Sequence, residues 1–117
     1  MLSADIKPVR KKVAPPMLRI DGIALDTERR LLIKGRQVCK LTPKECRLLK
    51  VLMTHAGKVL TRKFLMKEVW ETDYCGDTGT LEVHVRWLRE KIEEEPSSPR
   101  YLRTVRGVGY RFGVPDN

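Results

Sequence analysis

The spacing of apolar residues changes abruptly at Thr42-Pro43-Lys44-Glu45, and that change constrains the fold more than any other feature of the chain. Before it, apolar and polar residues alternate in short runs. After it they recur at helical spacing, and near the C-terminus alternation returns. A period of two puts successive side chains on opposite faces of a strand, whereas a period near 3.6 lines one face of a helix. A chain ordered this way has to build a small sheet, then helices, then strands again, which is an α+β arrangement.

The first strands lie between Met17 and Leu41. Leu18 and Ile20 alternate, Asp21-Gly22 turns, Ile23-Ala24-Leu25 follows, and Asp26-Thr27-Glu28 turns again. Arg30 to Lys34 and Gln37 to Lys40 then flank Gly35-Arg36. The pattern predicts three or four short antiparallel strands, a sheet that needs a partner layer to cover one face.

Thr42-Pro43-Lys44-Glu45 combines an N-cap threonine, a proline at the first helical position and a glutamate three residues after the cap, which together start a helix. Cys46, Leu49, Leu52 and Met53 form its apolar face, and Gly57 is expected to end it. Val59-Leu60 is a short extended stretch. Thr61 can cap a second helix, Arg62 to Trp70, with Leu65, Val69, Phe64 and Trp70 turned inward. The polar stretch 71-ETDYCGD-77 reads as a loop. Asp77 or Thr78 then caps a third helix that runs to about Glu94 and is stopped by Pro96.

On a helical wheel of about 100° per residue, Leu81, Val85, Leu88 and Ile92 of the third helix fall on one stripe. Val83, Arg86, Trp87 and Glu90 lie opposite, with Thr80 at the edge and His84 and Arg89 on the flanks. Water disfavours Val83 and Trp87, so either Trp87 packs against another part of the protein and Arg86 and Arg89 pair with Glu82, Glu90 or Glu93 on a solvated face, or this outer face is built to meet a partner. An α-helix fits the DNA major groove, where arginine hydrogen-bonds guanine edges or phosphates and apolar groups meet thymine methyls. Glu90, Glu93, Glu94 and Glu95 make the far end acidic, so the N-terminal half is the half expected to enter a groove.

The last element is 102-LRTVRGVGYRFG-113, two alternating runs joined by Arg106-Gly107-Val108-Gly109. This is a β-hairpin, with both glycines expected at positive-φ positions of a tight connection. Helix, turn region, helix and then a hairpin is the layout of a winged helix, a relative of helix-turn-helix.

Composition narrows the function. The 117 residues carry 24 Lys/Arg against 15 Asp/Glu, a formal charge of +9. The basic excess sits in residues 1–58 and 96–117, while 59–95 are mildly acidic. Such a bias suits a polyanion, most often nucleic acid. Residues 1–16, with Pro8, Pro15, Pro16 and a Lys/Arg cluster, read as a linker or tail ahead of a single domain at 17–117. No stretch looks like a membrane span or a secretory signal. Cys39, Cys46 and Cys75 are odd in number, unevenly spaced and without a CxxC pair, which argues against a disulfide scaffold and for a reducing cytoplasm. No metal site is expected of these cysteines with His55 and His84. Nor do paired carboxylates, an activated nucleophile or a cofactor motif point to an enzyme.

Three segments together resemble the OmpR/PhoB family, the C-terminal DNA-binding domains of bacterial two-component response regulators. They are Thr42-Pro43-Lys44-Glu45 with Leu48-Leu49, Leu81-Glu82-Val83-His84-Val85-Arg86 with Leu88-Arg89, and Thr104-Val105-Arg106-Gly107-Val108-Gly109-Tyr110-Arg111-Phe112. The similarity covers about residues 17–113. It implies an N-terminal four-stranded antiparallel sheet, three helices and a C-terminal hairpin wing. It also implies a third helix in the major groove and a wing arginine at the minor groove. DNA-contacting positions by this resemblance are Arg62, Thr80, Val83, His84, Arg86, Trp87, Arg89, Thr104, Arg106 and Tyr110. The loop holding Glu71, Thr72, Asp73, Tyr74 and Asp77 corresponds to the part that meets RNA polymerase in activators. The resemblance further implies a domain that is monomeric alone, pairs head-to-tail on direct-repeat half-sites of double-stranded DNA, and uses no cofactor. A phosphoacceptor receiver domain is absent from this chain, and residues 1–16 are expected to be the tether that would lead to one.

Two positions depart from the family pattern. Trp87 stands where an arginine is common, and Gly79 replaces a residue that is commonly basic. A rival reading of the same fold is a protein-interaction module that docks a partner without reading bases.

Overall fold

The computed structural model describes residues 17–72 and 79–113. The N-terminal alternating runs form strands β1 (Met17–Ile20), β2 (Ile23–Asp26), β3 (Leu31–Lys34) and β4 (Gln37–Lys40). They pair antiparallel in sequence order, so the sheet is a four-stranded meander. The turns at Asp21 (φ 55°) and Gly35 (φ 61°) fall where the sequence implies, whereas Arg30, read as the start of a strand, takes positive φ (56°) in the turn before Leu31. Asp26 Oδ1 accepts from the backbone N–H groups of Glu28 and Arg29, both at 3.0 Å, which closes the β2–β3 turn. Leu18, Leu25, Leu32 and Cys39 are aligned across the four strands and face the core.

Helix α1 (Pro43–Thr54) begins with a complete capping box. Thr42 Oγ1 accepts from the Glu45 N–H at 3.2 Å, and Glu45 Oε1 accepts from the Thr42 N–H at 2.9 Å. Its core face includes the expected Cys46, Leu49, Leu52 and Met53 and adds Leu48. The helix ends at Thr54 with His55 as C-cap, before Gly57. Gly57 instead shapes the following turn with φ 88°, and its N–H donates to the Phe112 carbonyl at 2.8 Å.

The extended stretch becomes β5 (Val59–Thr61), followed at once by α2 (Arg62–Trp70), capped by Thr61 Oγ1, which accepts from the Phe64 N–H at 3.1 Å. Leu65 and Val69 are buried as expected, Met66 joins them, and Phe64 and Trp70 are only partly covered. Helix α3 (Gly79–Ile92) ends two residues earlier than its pattern suggested. The capping residues proposed for it, Asp77 and Thr78, lie outside the described residues.

Strands β6 (Leu102–Val105) and β7 (Gly109–Phe112) form the expected hairpin. What the pattern did not show is the third member: β5 pairs antiparallel with β7, giving a second sheet ordered β5-β7-β6. The chain therefore stitches the start of α2 to the wing. A single core of Leu25, Leu49, Leu65, Leu88, Ile92, Phe112 and their neighbours joins both sheets to the three helices. Each such apolar side chain contributes roughly 1.5–3 kcal/mol by burial.

Gly109 has a different reason from the one its sequence context suggested. Only Gly107 takes the positive φ (76°) of the turn. Gly109 lies in β7, where an added Cβ would overlap the Leu60 carbonyl oxygen and come within 2.9 Å of Thr61 Cα. The second glycine permits close approach of β5, and the first permits the bend.

Candidate nucleic-acid interface

Amphipathicity decides how α3 is presented. Leu81, Val85, Leu88 and Ile92 are all at most 1% exposed, while Val83 and Trp87 are 39% and 42% exposed on the opposite side. Thr80, Arg86 and Glu90 are exposed with them. Arg86 has no ion-pair partner among the described residues, leaving its guanidinium available to an external acceptor.

The flanking residues act on this face from its edges. His84 Nδ1 donates to the Thr80 carbonyl at 2.8 Å, and its ring lies between two indoles. The ring centroids of Trp70 and Trp87 are each 5.0 Å from that of His84. Arg89 is turned toward the wing. Its Nε donates to the Leu102 carbonyl at 2.9 Å and its Nη2 to Thr104 Oγ1 at 2.7 Å. Burial lowers the pKa of this guanidinium from its ordinary value, with Tyr110 and Glu93 acting in the other direction.

The wing sequence proposed as a contact divides in two. Thr104, Arg106, Gly107 and Val108 are exposed, and the Val108 N–H closes the turn onto the Val105 carbonyl at 2.9 Å. Arg106 is thus carried at the tip, unpaired among the described residues. Tyr110 is only 4% exposed and belongs to the core. The guanidinium carbons of Arg62 and Arg89 lie 5.6 and 5.9 Å from its ring centroid. Burial pushes the Tyr110 hydroxyl above its usual pKa, opposed by Arg62. Tyr110 and Arg89 therefore support the exposed face from behind, and Arg62 sits half-exposed over the ring.

Three supports carried no signal in the sequence. Glu93 looks like one of several acidic residues at the end of α3, yet it is 6% exposed. Its carboxylate accepts from the N–H groups of Arg100, Tyr101 and Leu102 at 2.7 to 3.2 Å, fixing the chain as it enters the wing. Lys34 Nζ donates to the Ile92 carbonyl at 2.7 Å, capping α3 from the N-terminal sheet. Lys91 Nζ meets the buried Glu45 Oε1 at 2.8 Å. The two lysine contacts link residues far apart in the chain, and the Glu93 clamp spans an irregular connection, so no periodic pattern could announce them.

Of the loop residues, Glu71 adopts a left-handed conformation (φ 56°) at the end of α2, and its carboxylate pairs with Arg47 Nη2 at 3.1 Å. Thr72 is half-buried. Asp73, Tyr74 and Asp77, with Cys75, lie outside the described residues. Cys46 is buried, which raises its thiol pKa, so it is held as a neutral core residue. No described helix is long and apolar enough to cross a membrane.

A four-stranded sheet, three helices and a hairpin, with an exposed third-helix face beside a glycine-jointed arginine, define a winged helix-turn-helix domain. The chain belongs to the family described as "Transcriptional regulatory protein, C terminal", which it matches over residues 35–112, and it is of the OmpR/PhoB type. It is 49% identical over 100 residues to the alkaline phosphatase synthesis transcriptional regulatory protein SphR of Synechococcus elongatus, covering 85% of this chain and 38% of SphR. The chain thus spans well under half of that relative. The DNA-binding domain of Klebsiella pneumoniae RstA, solved in complex with the RstA box, matches with a TM-score of 0.75 and 27% identity, over 83% of this chain and 96% of that one. The response regulator DrrB, a Thermotoga maritima OmpR/PhoB homologue, matches with a TM-score of 0.75 and 27% identity, over 94% of this chain and 50% of DrrB.

Proposed function

We propose that this domain binds double-stranded DNA in a sequence-dependent way and regulates transcription as the effector part of a cytoplasmic response regulator. The observation that carries the reading is the tie between α3 and the wing through Arg89, which couples the helix that exposes Val83, Arg86 and Trp87 to the strand that leads to Arg106. The basic excess of the chain and the RstA domain's complex with its DNA box support it. In this reading α3 lies in the major groove, Thr80 and Arg62 approach phosphates, Arg86 and Trp87 meet base edges, and Arg106 enters the adjacent minor groove. His84 orients Trp87.

A single module of this kind covers roughly 600–1,000 Å². Two copies on tandem half-sites about one helical turn apart supply the remaining affinity. The loop that begins at Glu71 faces RNA polymerase, and a receiver domain on the N-terminal side of residues 1–16 controls the pairing. Changes at Asp73 to Gly76 then spare DNA affinity while lowering activation.

Selection of bound duplexes from a random pool, followed by salt titration, tests the proposal. Selected sites should share a repeated motif, and log K should fall with log salt by about 0.9 per phosphate neutralised. Affinity indifferent to both sequence and salt would instead indicate a protein-interaction module.

A further inference from the structure

The exposed face of α3 carries a large ring where a groove-reading helix ordinarily places a charge. Trp87 is 42% exposed, and a neighbouring ring packs against one side of it. The His84 ring stands against it with centroids 5.0 Å apart and planes inclined by 58°, and Trp70 stands against His84 at 5.0 Å and 78°. His84 is itself held by the 2.8 Å bond from Nδ1 to the Thr80 carbonyl. The three rings run from the last residue of α2 across the flank of α3, so Trp87 meets a ligand with its orientation set in advance. Val83, 39% exposed, precedes it by one helical turn on the same face.

The chemistry of that pair limits what it can recognise. The indole has one polar atom, Nε1–H, which only donates. It cannot form the bidentate pair that arginine makes with guanine O6 and N7. The valine offers no polar group. Among the four bases, the apolar group displayed in the major groove is the C5 methyl of thymine. Val83 and Trp87 are about 6 Å apart along the helix axis, which is comparable to two base-pair steps of about 3.4 Å each.

We propose that Trp87, braced by His84 and Trp70 and extended by Val83, reads thymine methyl groups at one or two neighbouring base pairs, with Arg86 supplying the adjacent polar contact. The proposal rests on the DNA-binding reading above and names what that surface selects. His84 is a positioning residue in it, acting through the ring it holds.

The test uses the chain with a duplex it has itself selected from random DNA, resynthesised with deoxyuridine in place of thymidine one position at a time. Deoxyuridine keeps every hydrogen-bonding group and removes only the methyl. Wild-type affinity should fall about fourfold per methyl lost at the contacted positions and stay unchanged elsewhere. In Trp87→Ala and Trp87→Arg the loss at the position facing Trp87 should disappear, while a loss at the position facing Val83 is retained. Sequence-dependent binding that ignores every methyl would overturn this inference and leave the DNA-binding reading standing. Methyl dependence that survives undiminished at every contacted position in both Trp87 variants would also overturn it. Failure to select any duplex would remove the broader reading, and this one with it.

Discussion

Arg89 Nη2 donates to Thr104 Oγ1 at 2.7 Å while Arg89 Nε donates to the Leu102 carbonyl at 2.9 Å, so one guanidinium joins the third helix to the first strand of the wing. The planar fork suits this, because two acceptors two residues apart on one strand are engaged by donors of fixed relative geometry. A lysine carries the same charge but no fork. Arg89→Lys should lower unfolding stability by about 1–2 kcal/mol, measured by urea denaturation. It should also reduce DNA affinity, because the wing loses its fixed placement. An unchanged denaturation midpoint would show that the joint is held by other contacts.

Arg106 provides the contrasting case. It stands exposed at the wing tip and its removal leaves no buried group unpaired. Arg106→Ala should weaken specific DNA binding by about 1–3 kcal/mol while leaving thermal stability as it was. Equal affinity for wild type and variant would take the wing out of the recognition surface.

Glu93 fixes the approach to the wing by accepting from three consecutive backbone N–H groups. In Glu93→Gln the amide nitrogen is a donor and faces donors. A loss of about 2–3 kcal/mol is expected, with faster hydrogen exchange at Arg100 to Leu102 than elsewhere in the domain. Uniform exchange across the protein would contradict a local clamp.

The Glu45–Lys91 pair makes stability depend on acid. Burial pushes the Glu45 carboxyl up, but the Lys91 ammonium and the Thr42 N–H outweigh burial and leave it below its ordinary 4.5. A carboxyl that binds its proton more weakly when folded stabilises the fold above its unfolded pKa and loses that contribution as pH falls through the folded value. Wild type should therefore be steady near neutrality and decline below about pH 4.5. Lys91→Met should be less stable by roughly 1–3 kcal/mol at pH 7, a gap that closes as Glu45 protonates. A gap constant from pH 7 to pH 3 would show that the pair is not its source.

The two wing glycines should respond differently to the same change. At Gly107 an added Cβ meets open space but inherits φ 76°, so Gly107→Ala should cost about 1–2 kcal/mol. At Gly109 the Cβ overlaps the Leu60 carbonyl and the β5–β7 ladder has to open, so Gly109→Ala should cost about 3 kcal/mol or more. Comparing the two thermal midpoints checks the distinction, and equal losses would refute it.

Local chemistry determined the elements and the exposed face of α3. The capping box at Thr42 and Glu45, the core stripe Leu81-Val85-Leu88-Ile92, and the opposing Val83, Arg86 and Trp87 all follow from spacing, because helical geometry alone decides which residues share a side. Motif resemblance added the family. Only the tertiary structure decided which polar residues are structural. Among similar-looking glutamates, Glu93 is buried and Glu90 is exposed, and of the two arginines Arg89 is committed to the wing while Arg86 has no ion-pair partner among the described residues. It also decided that Val59–Thr61 completes the wing sheet and that Gly109 is needed for closeness rather than for a bend. Such assignments depend on contacts between different elements, from the Glu93 clamp on the nearby wing entry to the distant β5–β7 pairing, and a contact of that kind leaves no period in the chain.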